Sequence, residues 1–220
     1  MRTKTVLLTA ALGAVSIATA AAQTVYSVNA VGYVNVTVPA GKFALLTNPL
    51  NLPTNSLAAV LPDVPANTTV VYAFNSATGA FDQATKRTTG WTGTGAGALL
   101  NPGAGFFIKN GAATDITITF VGEVMQGTNL TVNVPAGFSC IGSQVPVEGK
   151  IETDLKFPAA NGDQCYTFNV ATGLYNGAAT RRTAVGQWTG TPEPTIKVGE
   201  AFFYKAVSAG KWVRNFTVNQ

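Results

Sequence analysis

The chain has 220 residues, of which only 11% are charged, a formal net charge of +4 and no histidine. The lack of histidine excludes Ser-His-Asp and Cys-His hydrolysis, histidine-ligated zinc or copper, and c-type haem attachment, because each needs an imidazole as base or ligand. Two cysteines cannot form a four-thiolate metal site, so we expect neither a metal nor a cofactor.

Residues 1–22 have the layout of a secretory signal. Arg2 and Lys4 supply positive charge, the apolar run VLLTAALGAVSIATA follows, and three alanines precede Gln23. The apolar run is shorter than the roughly 20 residues that span a bilayer, so we expect cleavage before Gln23 and no membrane span in the mature chain. The sequence therefore predicts a secreted or cell-envelope-associated protein. Because two basic residues leave with the signal, the remaining charge gives no reason to expect a nucleic-acid partner.

The mature chain begins with strand patterns. Valines alternate at 34, 36 and 38 and end at Pro39-Ala40-Gly41, which predicts a strand and a turn, and FALLTNP (43–49) predicts a second strand. Leu57 and Leu61 have the i, i+4 spacing of one or two helical turns over a sheet.

Four more strands follow in the same half. TVVYAFN (69–75) and FDQATKR (81–87) flank a turn that contains Gly79 and predict a β-hairpin. GFFIKN (105–110) and DITITFVGEV (115–124) predict two further strands.

The second half repeats the first at a distance of about 96 residues. The matching segments are VNVTVPAG (34–41) with LTVNVPAG (130–137), VYAFNSATGAF (71–81) with CYTFNVATGLY (165–175), and GAGFFIK (103–109) with GEAFFYK (199–205). Ile151 and Leu155 match the helical leucines, and no linker separates the copies.

We therefore predict an all-β protein made by tandem duplication of a unit of about 96 residues. The domains are a signal peptide (1–22), a first copy (23–124) and a second copy (125–220). Each copy is expected to form a β-sandwich or barrel-like domain with about six strands and one short helix, and the two are expected to pack face to face.

The ordered motifs VGYVNVTVPAG, NPLN, TVVYAFN, GFFIKN, ITFVGEV and RNFTVN resemble a family of secreted proteins encoded, often in many copies, by Verrucomicrobia and related bacteria. The resemblance covers almost all of the mature chain. It implies an exported bacterial all-β protein, and it carries over no catalytic residues.

Cys140 and Cys165 favour a disulfide, because an exported chain is in a compartment where disulfides persist. The alternative is a pair of buried thiols that act as small apolar residues. The first copy has aliphatic residues at the matching positions, which fits the second interpretation.

Two features that occur once in each copy are candidates for ligand contact. Trp91 and Trp188, in repeated WTGT segments, could stack on sugar rings or could cap the core beside a turn. The basic pairs Lys86-Arg87 and Arg181-Arg182 could contact an anionic polymer or lipid, or could discourage edge-to-edge aggregation.

The one acidic cluster, Glu148, Glu152 and Asp154, has no counterpart in the first copy and is best explained as a solvated loop and the start of a helix. We therefore expect a non-catalytic extracellular structural or surface-associated protein. Its expected partners are further copies of itself or an extracellular polysaccharide. The alternative is a carbohydrate-binding module that uses Trp91 and Trp188.

Overall fold

A computed structural model describes residues 30–218. The predicted signal segment lies outside these residues. The described chain is all-β, as predicted, and its sheets pack in a sandwich-like manner. It contains one short α-helix.

Between residues 30 and 124 the described chain forms seven strands and the helix. These elements are β1 (Val31–Val38), β2 (Phe43–Thr47), α1 (Leu57–Val60), β3 (Thr69–Asn75), β4 (Ala80–Arg87), β5 (Gly90–Thr92), β6 (Gly105–Asn110) and β7 (Ile116–Glu123).

From residue 125 to 218 the described chain forms more strands, several of which have only two or three residues. They are β8 (Gly127–Val134), β9 (Gly137–Gly142), β10 (Gly149–Lys150), β11 (Gln164–Tyr166), β12 (Phe168–Asn169), β13 (Leu174–Tyr175), β14 (Ala179–Arg182), β15 (Gln187–Thr189), β16 (Thr195–Ile196), β17 (Ala201–Ala206) and β18 (Gly210–Phe216), with a 3₁₀ turn at Thr183–Val185.

Each half forms a five-stranded antiparallel sheet with the same strand order. The first sheet runs β2-β6-β3-β4-β5 and the second runs β9-β17-β11-β14-β15. Each half also has a two-stranded ribbon, β1 with β7 in the first and β8 with β18 in the second. The sequence matches between the halves thus fall on matching strands.

The sheets are buried on both faces, which produces three apolar clusters. Phe106 of β6 packs with the β1–β7 ribbon and α1, whereas the next residue, Phe107, faces the second sheet. In the same way Phe202 of β17 packs in the second core and Phe203 faces the first sheet. Because side chains alternate along a strand, each sheet contributes one face to its own core and the other to a shared middle layer.

The two halves approach closely beside this layer. Thr47 N donates to Gly199 O at 2.9 Å, and the matching positions repeat the bond, with Gly142 N donating to Gly103 O at 3.0 Å. A Cβ on Gly105 would lie 2.5 Å from Cys140 Sγ. This contact explains why glycine is needed where β6 crosses β9.

Both hairpin turns use the same chemistry. Asn75 Oδ1 accepts the N–H groups of Ala77 and Thr78, and Gly79, at φ +69°, donates to Asn75 O. Asn169 and Gly173 repeat this arrangement in the second half. Asparagine satisfies the turn locally and glycine tolerates positive φ, which accounts for the repeated FN-x-ATG segments.

The predicted helix is present in one half only. In the first half Ser56 Oγ caps it by accepting from Ala59 N at 3.3 Å. In the second half residues 151–155 form turns, so that prediction is wrong. Leu155 N donates to Lys150 O rather than four residues back, and Lys156, at φ +57°, ends the segment.

Two large buried side chains of the second core have paired polar groups. Tyr204 donates its hydroxyl to Asp163 Oδ2 at 2.6 Å, and Trp212 Nε1 donates to Leu155 O at 2.9 Å. Burial, which would deprive the phenolate of water, is the larger cause that raises the pKa of Tyr204 well above its usual range. The adjacent Asp163 carboxylate raises that pKa further, because it repels a phenolate and accepts the phenol proton.

Candidate functional site

The first predicted stacking residue, Trp91, lies on β5 directly opposite Lys86 of β4. The indole is half-buried against the first core, and Lys86 Nζ lies 5.6 Å from its ring centroid. The Nε1 atom of Trp91 is buried and has no hydrogen-bond partner within residues 30–218. One face of the ring is therefore taken by the core and a lysine approaches the ring.

The second, Trp188, pairs with Arg181 across β14 and β15 and is held by Glu152. Trp188 Nε1 donates to Glu152 Oε2 at 2.9 Å, and Arg181 Nη2 donates to Glu152 Oε1 at 2.8 Å. Arg181 Nε also lies 2.7 Å from Glu152 Oε2, so the two side chains form a salt bridge. The Trp188 N–H and the Arg181 charge thus already have partners.

The backbone at Glu152 is held in place by Glu193. Glu193 Oε1 accepts the backbone N–H groups of Glu152 and Thr153 at 2.8 and 2.7 Å. In the first half Ala58 stands at the position of Glu152, on a helix that packs against β5. The absence of a carboxylate there explains why Trp91 Nε1 has no acceptor.

The basic pairs do not converge on one anion site. Lys86 and Arg181 lie on the tryptophan side of their strands, whereas Arg87 and Arg182 follow them in sequence and point to the opposite face. Arg87 and Arg182 are exposed. One residue of each pair therefore lies across the strand from its tryptophan, and the other faces solvent.

The predicted Cys140–Cys165 disulfide is wrong, since both thiols are free and buried. Cys140 pairs with Phe203 and Cys165 with Tyr204, on opposite sides of β17, so their Cα atoms are two strand spacings apart, roughly 10 Å. A disulfide requires a Cα separation below about 7 Å. The sulfurs also point to opposite faces of the sheet, into the middle layer and the second core respectively.

Burial raises the pKa of both thiols far above the usual range, because neither thiolate could be solvated. In the described range, 30–218, no group of three or more His, Cys, Asp or Glu side chains is arranged to hold a metal ion. The same residues contain no helix long and apolar enough to cross a bilayer.

An aromatic surface in the middle layer contains none of the site residues predicted from the sequence. Two adjacent cavities open in the middle layer between the sheets. The rings that line the first, of about 460 Å³, are Phe74, Phe81, Phe138, Tyr166, Tyr175 and Phe203. The rings that line the second, of about 270 Å³, are Phe43, Tyr72, Phe81, Phe107, Phe168 and Tyr175.

The two cavities are related by the sequence match between the halves. The Phe74–Phe203 centroid distance is 5.0 Å, and its counterpart, Phe107–Phe168, is also 5.0 Å. Phe107 and Phe203 stack on each other at 6.1 Å. Each cavity takes rings from both halves, so neither half alone contains a complete one.

Phe81 and its counterpart Tyr175 form the wall that both cavities share, and each is a little under half exposed. Burial of part of its ring raises the pKa of Tyr175 to about 12. The hydroxyl therefore stays protonated, and the wall stays uncharged, across the physiological range.

Three lysines lie next to these rings or beside the cavities. Lys109 Nζ lies 5.3 Å from the centroid of Phe43, and its counterpart Lys205 lies 5.4 Å from Phe138. Lys42 Nζ donates to Ala171 O at the hairpin turn beside the second cavity. Among the described residues that line either cavity, none is charged.

The only sequence signal for this layer was the repeated aromatic pattern. Tyr72 and Phe74 alternate with core residues of β3, and Phe107 follows a core phenylalanine. Such strands are apolar on both faces, which indicates that something covers the second face. The pattern does not say that the cover leaves two cavities.

Comparison of the chain with protein-family models, with curated proteins and with solved structures found no match in any of the three.

Proposed function

We propose that this chain is a non-catalytic extracellular protein with a structural or surface-associated role, made of two copies of one β unit. The observation that carries the proposal is the pair of two-stranded ribbons on the outside of the molecule. Within residues 30–218, β18 pairs with β8 alone, and β7 pairs with β1 apart from an isolated bridge between Glu123 and Asn51.

An unpaired strand edge presents free N–H and C=O groups to which another chain can add a strand. The β1–β7 ribbon also has apolar groups on its outer face, where Tyr33 is 73% exposed and pairs with Val121, which is 51% exposed. These groups favour assembly of copies through their ribbons, as expected of a protein displayed in quantity on a cell surface.

The alternative, glycan binding by Trp91 and Trp188, has less support. Both indoles pack on their own cores, and Trp188 Nε1 already donates to Glu152. A sugar would have to displace Lys86 or the Arg181–Glu152 pair from beside the rings.

Sedimentation velocity of the mature protein over a concentration series tests the proposal. We expect reversible association that Val121→Lys abolishes, because a lysine on the ribbon opposes edge pairing. Val207→Lys is the matched control, since Val207 is also exposed but lies before β18, outside the β1–β7 ribbon. A monomer at every concentration, or equal loss in both variants, would contradict assembly through this ribbon.

A further inference from the structure

We propose that the two aromatic cavities between the sheets bind amphiphilic anions, that is, ligands with an apolar or aromatic body and one carboxylate or similar head. A chain would hold two such ligands side by side. This activity goes beyond a structural role and does not depend on self-association.

The size and lining of the cavities define the body of the ligand. Volumes of about 460 and 270 Å³ are near the range that small-molecule sites occupy. The walls are phenyl and phenol rings, with Ser76 adding a hydroxyl to the first cavity. The hydroxyl groups of a sugar would have few hydrogen-bond partners there, whereas an alkyl or aryl group would contact apolar rings and needs no such partners.

The surrounding charges define the head group. Lys109 and Lys205 place one ammonium group over an outer ring of each cavity, and Lys42 lies beside the second. Asp82 adjoins Phe81 in sequence, but it alternates to the opposite face of β4. Positive charge at the rim attracts an anionic head and repels a quaternary ammonium ligand, which an aromatic cage would otherwise suit.

The two sites are expected to differ in capacity. Ser76 lines the first cavity, whereas Val170, its counterpart, packs against the first core. The larger first cavity should therefore accept the longer or bulkier body. Because Phe81 and Tyr175 wall both cavities, occupation of one fixes rings that the other uses.

The test uses 1-anilinonaphthalene-8-sulfonate as a fluorescent probe of the mature protein, with dodecanoate and dodecyltrimethylammonium as competitors. We expect saturable binding near two probes per chain and displacement by dodecanoate in preference to the cationic amphiphile. Phe81→Ser should weaken probe binding by about tenfold through loss of apolar contact in both cavities. The matched control, Tyr33→Ser, removes a more exposed ring on β1 and should leave binding unchanged.

A second pair of variants leaves the aromatic layer intact. The double variant Lys109→Gln with Lys205→Gln should weaken the sulfonate probe about fivefold and leave the neutral probe N-phenyl-1-naphthylamine unaffected. Lys150→Gln with Lys211→Gln is the control, because both side chains are exposed on other strands. Absence of saturable binding, equal loss with Tyr33→Ser, or preferential displacement by the cationic amphiphile would overturn the proposal. Sedimentation of the same samples reports assembly separately.

Discussion

Replacing Glu152 with alanine removes a carboxylate that bonds both Trp188 and Arg181. Arg181 is 13% exposed and Glu152 30% exposed at the side chain, so water can replace the lost contacts only in part. Hydrogen bonds to charged groups contribute about 1.5 to 3 kcal/mol to the free energy of unfolding. Because both side chains are partly exposed, we expect the loss to lie in the lower half of that range, at about 2 kcal/mol. For a chain of this length, that corresponds to a fall in Tm of about 4 to 8 °C.

Calorimetry or circular dichroism of the mature protein measures this fall directly. The matched variant is Ala58→Glu, which places a carboxylate at the equivalent position near Trp91 Nε1 and Lys86 in the first half. It should stabilise the protein by about 0.5 to 1 kcal/mol, because it supplies the missing acceptor. A change of less than about 0.5 kcal/mol for Glu152→Ala would refute the reasoning, since that is the range of an ordinary surface substitution.

Three further predictions concern the interior. Both cysteines should be unreactive toward Ellman's reagent in the native protein and fully reactive after denaturation, and a reductant should not change Tm. Reaction of either thiol in the native protein would contradict its burial. Gly105→Ala should cost about 1 to 3 kcal/mol by overpacking the contact with β9, whereas Gly97→Ala, with open space around it, should be neutral by urea titration. Folding raises the pKa of Tyr204, so only the unfolded chain loses this phenolic proton when the pH first passes about 10. The free energy of unfolding should therefore keep the full contribution of Tyr204 below that pH and decrease as the pH rises above it. Tyr204→Phe should reduce that alkaline fall in Tm, and Tyr175, whose pKa folding also raises, accounts for part of the remainder. An unchanged slope would contradict the assignment.

Local turn and strand chemistry was predictable because it depends on neighbours in sequence. The alternating valines of β1 and the Asn75–Gly79 turn follow from side-chain alternation and from the positive φ that glycine allows. The long-range pairs were not predictable. Glu152 and Trp188 are 36 residues apart, and the first half offers no second instance from which to infer the contact.

The middle layer shows where strand patterns stop being informative. Phe106 and Phe107 read as one apolar run, yet they belong to different cores. A strand buried on both faces loses the alternation that would assign each side chain to a face. The same limit explains the disulfide error, because sequence did not show that Cys140 and Cys165 flank one strand and point to opposite faces.

The measurement that tests the central claim most directly is tryptophan fluorescence of the mature protein, titrated first with acrylamide and then with soluble polysaccharides. The claim is that the chain has a structural role, in which the indoles of Trp91 and Trp188 pack on the two cores and do not bind a glycan. Because Trp212 is buried in the second core and emits in either case, the titration uses Trp212→Phe, in which only Trp91 and Trp188 emit. The claim predicts blue-shifted emission that is quenched inefficiently and does not respond to any polysaccharide. Emission that acrylamide quenches readily, and that a polysaccharide shifts and protects, would contradict the claim and favour glycan binding at Trp91 and Trp188.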